Sequence, residues 1–271
     1  MTSSYSEIKI PLSCKPSTGV FFDPSRRSGQ RRAFSVRHYQ PPLSIVEQWL
    51  PVWPALGVKA SPGVKLRELR PYDAEIEFIS LHGELKEAVL WFGPLKTAER
   101  RATLLPGAYT LTGSSVQSRG GLPLSEPQAY VYEPDAAILR AGLVQTLGEQ
   151  LGACQMDADI SYLTSDHLVD TPFARAWAVD AWLPFGVKRL RAFLMERGVN
   201  RVTVKKRGSP LQPEELIRAL RLQDAGPGQG VERVVFLTHL RGRPIAIVCH
   251  PHERRSQVGD MPAAGRENGA G

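Results

Sequence analysis

The sequence predicts a chain of mixed α+β/α/β class, and three observations predict it. A strand, helix, strand run fills the first sixty residues. Two strand pairs return across turn signals, His82-Gly83 and Arg241-Gly242-Arg243-Pro244. Near the carboxyl end, strands alternate with amphipathic helices.

The apolar run 19–22 stops at Asp23-Pro24 and reads as a short buried strand. An arginine-rich loop follows, holding Arg26, Arg27, Arg31, Arg32 and Arg37. Pro41 and Pro42 then open a helix in which Leu43, Ile45, Val46, Trp49 and Leu50 repeat at helical spacing, and Pro51 or Pro54 ends it. Residues 57–60 form the next strand, stopped by Ser61-Pro62-Gly63. This is a βαβ unit, which implies a parallel sheet. An acid just past the carboxyl end of such a strand is where open α/β sheets place a ligand-facing carboxylate, and this singles out Asp23.

Residues 75–81 alternate acidic and apolar side chains, and 84–92 return across His82-Gly83 as a hairpin expected at the sheet's edge. Residues 101–105 supply one more strand. Between 113 and 127 the composition shifts to Gly, Ser, Pro and Gln, marking a domain boundary.

A strand at 129–132 then leads into a helix over 135–151, with Asp135 at its start and Gly152 as a left-handed cap. Strands follow at 160–163 and 174–182, then a helix at 187–196. In the strand 201–205, Val202 and Val204 face one way and Arg201, Thr203 and Lys205 the other. Pro213 opens a helix with Glu214 and Glu215 in its first turn and Arg218 and Arg221 in its last, matching the helix dipole at both ends. A closing hairpin spans 231–240 and 245–249. The Gly-, Ala- and charge-rich residues 253–271 read as a disordered tail.

Charge gives the main clue to a partner. The chain of 271 residues carries a net +7, and a basic surface attracts polyanions whatever the fold. Between Gly186 and Arg207 stand Lys188, Arg189, Arg191, Arg197, Arg201, Lys205, Lys206 and Arg207 against the single acid Glu196. No run nears the roughly 20 apolar residues of a membrane span, and Glu7, Lys9, Pro11 and Lys15 stand where a signal peptide needs an apolar block. The expected location is cytoplasmic, with no membrane partner. Cys14, Cys154 and Cys249, odd in number and widely spaced, suit reduced thiols.

Motif searches exclude several chemistries. The glycine run at 226–230 follows a helix and precedes a strand, the reverse of the order a phosphate-cradling loop requires. No Walker A loop, nucleophile elbow or metal-spaced Cys/His array occurs. Cys249-His250-Pro251-His252 reads as a chain end, and no metal site is expected.

The blocks VFFDPSRR, HYQPPLSIVEQWL, GVKASPG, EIEFISLHGELKEAVLW, YVYEPDAAILRAGL and RVTVKKRGSPLQPEELIRAL together resemble a family of bacterial class I S-adenosylmethionine-dependent methyltransferases. That family carries a ferredoxin-like segment and a THUMP-like domain. The resemblance covers residues from about 20 to 249. It implies a partial Rossmann-like methyltransferase sheet, from its fourth strand onward, over 1–114, a ferredoxin-like segment over 115–195 and a THUMP-like domain over 196–252.

THUMP domains bind RNA, so the implied partner is RNA and the implied reaction is methyl transfer to RNA. By the same resemblance, Asp23 and Pro24 are the catalytic pair, accepting hydrogen bonds from a target amino group and holding it toward the methyl donor. Positioning of this kind supplies much of the rate when the cofactor already carries the activated group.

Arg26 and Arg27 face the substrate; Arg26 stands where such enzymes often have an aromatic residue that stacks on the target base. Lys205, Lys206, Arg207 and Gly208, at a strand end before a helix, are expected to hold phosphate. Asp23 also suits a capping or turn acid, and the basic strand end also suits a solubilising edge.

The glycine-rich loop and second-strand acid that bind S-adenosylmethionine in such enzymes would precede residue 20. The expectation is therefore a carboxyl-terminal portion, inactive alone, that binds S-adenosylmethionine weakly or not at all and whose partners include a missing amino-terminal half. The alternative is a non-enzymatic RNA-binding or accessory protein descended from such an enzyme.

Overall fold

A computed structural model describes residues 19–28, 31–32, 35–114, 120–223 and 230–251. The expected tail at 253–271, Cys14, and all of the glycine run but Gly230 lie outside them. The elements run β1 (Val20–Phe22), β2 (Arg27–Ser28), β3 (Arg31–Arg32), α1 (Val46–Trp49), β4 (Leu56–Ala60), α2 (Leu66–Leu69), β5 (Ala74–Leu81), β6 (Glu84–Phe92), β7 (Arg100–Leu105) and β8 (Tyr109–Gly113). There follow β9 (Tyr130–Pro134), α3 (Ala136–Ala141), α4 (Val144–Leu151), β10 (Cys154–Asp157), β11 (Ile160–Ser165), β12 (Ala174–Pro184), α5 (Val187–Glu196), β13 (Val199–Lys206), α6 (Pro213–Leu220), β14 (Val231–Leu240) and β15 (Arg243–Cys249).

Two mixed sheets carry the fold. The first has the order β1-β4-β6-β5-β7-β8. Its β1 and β4 are parallel, as the βαβ reading requires, and β6 enters antiparallel to both β4 and β5. The hairpin expected at the edge is interior, because β7 pairs in parallel with the free side of β5 and β8 extends the sheet beyond it. A turn fixes which two strands pair locally and leaves the outer edge open to later segments. His82 at φ 52° and Gly83 at φ 82° form the left-handed pair that a two-residue hairpin turn needs.

The second sheet has the order β10-β11-β9-β12-β15-β14-β13. Its last two strands, β14 and β13, run parallel and every other neighbouring pair is antiparallel. The sheet is strongly curled. Tyr162 of β11 meets Phe236 of β14 edge-on at 5.1 Å, and the Gly242 N–H in the β14–β15 turn donates to Asp157 at the end of β10 at 2.8 Å. Val131, Met156, Tyr162, Trp177, Phe236, Ile247 and Cys249 fill the concave side. On the convex side α5 and α6 cover β12 to β15, joined through Leu190, Leu194, Leu216 and Leu220.

One apolar core links the first sheet to the start of the second. Val58, Phe78, Leu90 and Leu111 share it with Tyr132, Ile138, Leu147 and Leu163. The helix expected over 135–151 is broken in two, with Gly142 in the left-handed conformation that ends α3. The break lets α3 lie on β5 and β7. There Arg140 reaches back to the loop after β4, donating through Nε to the Pro62 carbonyl at 3.0 Å and through Nη2 to that of Val64, with its guanidinium over Phe78 at 5.2 Å.

Candidate functional site

Parallel β1 and β4 end on the same rim of the first sheet, where antiparallel β6 begins and β5 and β7 also end. Asp23 leaves β1 at this rim with its side chain 55% exposed, and Pro24 behind it is buried. The loop is held down by a two-way backbone bridge, Ser25 N–H to the Gln40 carbonyl at 3.0 Å and Gln40 N–H to that of Ser25 at 2.9 Å. Asp23 therefore stands exposed at the carboxyl rim of the sheet.

It is not alone there. Lys59 Nζ, from the end of β4, lies 3.6 Å from Asp23 and 3.0 Å from Glu87 of β6. The hydrogen bond that Lys59 donates to Glu87 holds its ammonium pKa above the ordinary value, so Lys59 stays charged. Arg26 donates to the Ala60 carbonyl at 3.5 Å, and the Ser61 N–H donates to the buried Tyr39 hydroxyl at 2.9 Å. Asp23, Lys59, Glu87 and Arg26 thus form a mixed-charge row along the rim. Arg27 lies in β2, and its side chain is outside the described residues.

A cavity of about 890 Å³ opens at the far end of the rim, between the β5–β6 and β7–β8 turns and the second sheet. Lys205 and Arg207 both line it. Lys205 is engaged, with Nζ 2.6 Å from Glu133 and 4.9 Å above the Trp177 ring. Arg207 sits over Tyr162 at 5.1 Å with its Nε buried and unpartnered among the described residues. Burial pushes the Tyr162 hydroxyl far up, so it stays neutral.

The other two basic-edge positions differ. Lys206 donates to Gln212 at 2.8 Å. Gly208, at φ +79°, lines a second cavity with His239, whose Nδ1 would stand 2.7 Å from an added Cβ. The backbone N–H of Arg207 is not free for a phosphate, because it donates to the Leu237 carbonyl at 3.0 Å as pairing with β14 continues past the strand end.

The structure does not join Asp23 to the basic residues. Asp23 stands at the rim of the first sheet beside β4, whereas Lys205 and Arg207 come from β13 of the second sheet and line a cavity that Asp23 does not. Sequence reasoning missed Lys59, Glu87, Glu133, Tyr109 and Arg175 as site residues. A lysine inside the apolar strand GVKA and a glutamate in YVYEP were the available signals.

Cys249 is no nucleophile, since burial pushes its thiol up to about 12. No group of His, Cys, Asp and Glu among the described residues suits a metal ion. No described helix is long and apolar enough to cross a membrane. Among the described residues β1 is paired only with β4.

Comparison with known proteins bears on this sheet. A THUMP domain-like family model matches residues 174–251, the stretch from β12 to β15. Uncharacterized S-adenosylmethionine-dependent methyltransferases of Mycobacterium tuberculosis strains CDC 1551 and H37Rv are each 33% identical over 241 residues, 86% of this chain. The chain spans 64% of the length of these relatives. A crystal structure of a proposed methyltransferase from Porphyromonas gingivalis W83 shares the fold at 21% identity with a TM-score of 0.69, covering 86% of this chain and 59% of that one. Over most of its length the chain is thus similar to S-adenosylmethionine-dependent methyltransferases, and its carboxyl-terminal stretch is similar to a THUMP-like domain.

Proposed function

We propose that the chain is the substrate-facing, carboxyl-terminal portion of an RNA methyltransferase, with a partial Rossmann-like sheet to about residue 114, a ferredoxin-like segment over 115–195 and a THUMP-like domain over 196–252. The observation that carries this reading is the open edge of the first sheet at β1. Parallel β1 and β4 present an exposed Asp23 at their carboxyl rim, while β1 keeps one edge unpaired among the described residues.

Asp23 and the Pro24 carbonyl face the target group, Arg26 and Arg27 flank it, and Lys205, Lys206, Arg207 and Gly208 contact the RNA backbone. A strand from an amino-terminal half, the missing partner, would extend the sheet beside β1. Without it the chain binds S-adenosylmethionine weakly or not at all and transfers no methyl group. Isothermal titration calorimetry of the chain with S-adenosylmethionine tests this, and micromolar affinity overturns it.

A second reading has its own observation. Lys59 already lies 3.6 Å from Asp23, so the acid has a cationic neighbour where a catalytic acceptor would need its lone pairs free. This favours an RNA-binding accessory protein that has lost its chemistry. Lys59→Ala in a chimera carrying the amino-terminal portion of the Mycobacterium relatives separates the two. Methyl transfer by the parent chimera supports the enzyme, and none from either chimera supports the accessory role.

A further inference from the structure

The 890 Å³ cavity lies within the size range of small-ligand sites, and the chemistry lining it is specific. Tyr109, 52% exposed, lines it at the start of β8. Its ring rests against Gly107, where an added Cβ would come within 2.1 Å of a ring carbon. Only glycine at 107 lets the ring lie back on its own turn, which fixes it as a flat aromatic surface beside an open volume.

Two cations lack an acidic partner there. Arg175 is exposed and has neither ion-pair nor hydrogen-bond partner among the described residues, and its Nη2 stands beside the Gly83 turn. Arg207 keeps a buried, unpartnered Nε. Lys205, by contrast, is already matched by Glu133. Asp135 uses one oxygen to accept the Ala137 N–H at 2.8 Å and keeps the other beside Gly83. An aromatic plane, two guanidinium groups without a salt bridge among the described residues and one spare carboxylate oxygen match a base, a phosphate and an amino edge, in that order.

We propose that this cavity binds a single nucleotide, with its base stacked on Tyr109 and its phosphate held by Arg175 and Arg207. The inference deepens the RNA reading above, since the same residues would seat one nucleotide of a single strand away from Asp23. The chemistry is shared by a free nucleotide and a nucleotide within RNA, and the experiment separates them.

The full chain is titrated by calorimetry with adenosine 5′-monophosphate, adenosine and inorganic phosphate. In parallel, a labelled single-stranded RNA dodecamer is followed by fluorescence anisotropy. The nucleotide is expected to bind at least tenfold tighter than either fragment. Tyr109→Ala and Arg175→Ala should each weaken it about tenfold, and Tyr109→Phe should retain it. Both positions are exposed, and unchanged thermal melting confirms that the variants fold.

No binding of the nucleotide, binding no tighter than phosphate, or binding indifferent to both alanine variants each overturns the proposal. RNA binding that depends on Lys205 but not on Tyr109 or Arg175 overturns the proposal and leaves the RNA reading standing. Nucleotide binding without RNA binding does the reverse.

Discussion

Lys205 of β13 and Glu133 of β9 meet at 2.6 Å although three strands lie between theirs in the sheet. In a flat sheet four spacings would hold them roughly 19 Å apart. The pair closes the curl over Trp177, and both side chains are about one quarter exposed.

Glu133→Gln removes the counter-charge and leaves Lys205 half-desolvated. The expected cost is about 1–2 kcal/mol, between the values for exposed and buried pairs, read as a lower urea midpoint with an unchanged slope. The released ammonium should also raise affinity for single-stranded RNA and steepen its salt dependence.

Arg140→Ala deletes both hydrogen bonds to the loop after β4 and the contact with Phe78. A loss of about 2–3 kcal/mol is expected, since a charged donor is removed and two carbonyls lose their partner. Calorimetric melting should fall by several degrees. Arg140→Lys cannot serve both carbonyls in the same fork and should recover only part of the loss.

Gly57 sits under two rings. A Cβ there would lie 2.6 Å from Trp91 and 2.8 Å from Phe21. Gly57→Ala should displace the Trp91 indole, break its N–H bond to Glu77 (2.7 Å) and cost about 1–3 kcal/mol, as overpacking does. A shift of tryptophan emission together with a lower melting temperature is the expected signature.

Glu75 is buried, and burial alone would raise its carboxyl. The Arg101 guanidinium and the Thr97 and Ala98 N–H groups outweigh that and hold it below the ordinary 4.5. The unfolded chain therefore binds the proton first as pH falls. The stabilisation is complete above about 4.5 and is lost as pH drops through the lower folded value. Glu75→Gln should lower stability at pH 7 and flatten the loss between pH 5 and 3, measured as urea midpoint against pH.

Much of the chain order could be read from the residues. Asp23-Pro24 marked the end of β1, Pro213 the start of α6, and His82-Gly83 and the stretch 241–244 the two hairpins, the second of which turns on Arg241-Gly242 alone. Of the aromatic residues on the strands around them, Tyr132 and Trp177 are core while Tyr130 and Trp182 are only partly buried.

What escaped was non-local. β8 falls in a stretch of Tyr, Thr and Gly that carries no apolar run, and β10 is only four residues long. The curl that brings Glu133 to Lys205 depends on twist accumulated over several strands, and the contact of Lys59 with Asp23 on the register of β1 against β4; a linear pattern marks neither. The candidate site was legible as residue types at strand ends, and illegible as pairs.

Because Val58, Phe78, Ile138 and Leu163 belong to one shared apolar interior, the first sheet and the beginning of the second form no joint about which they could bend. The distance from Asp23 to the nucleotide-sized hollow is accordingly a fixed ruler. Any strand that enters both ends at once must bridge that gap with its own length, and a shorter one engages a single end.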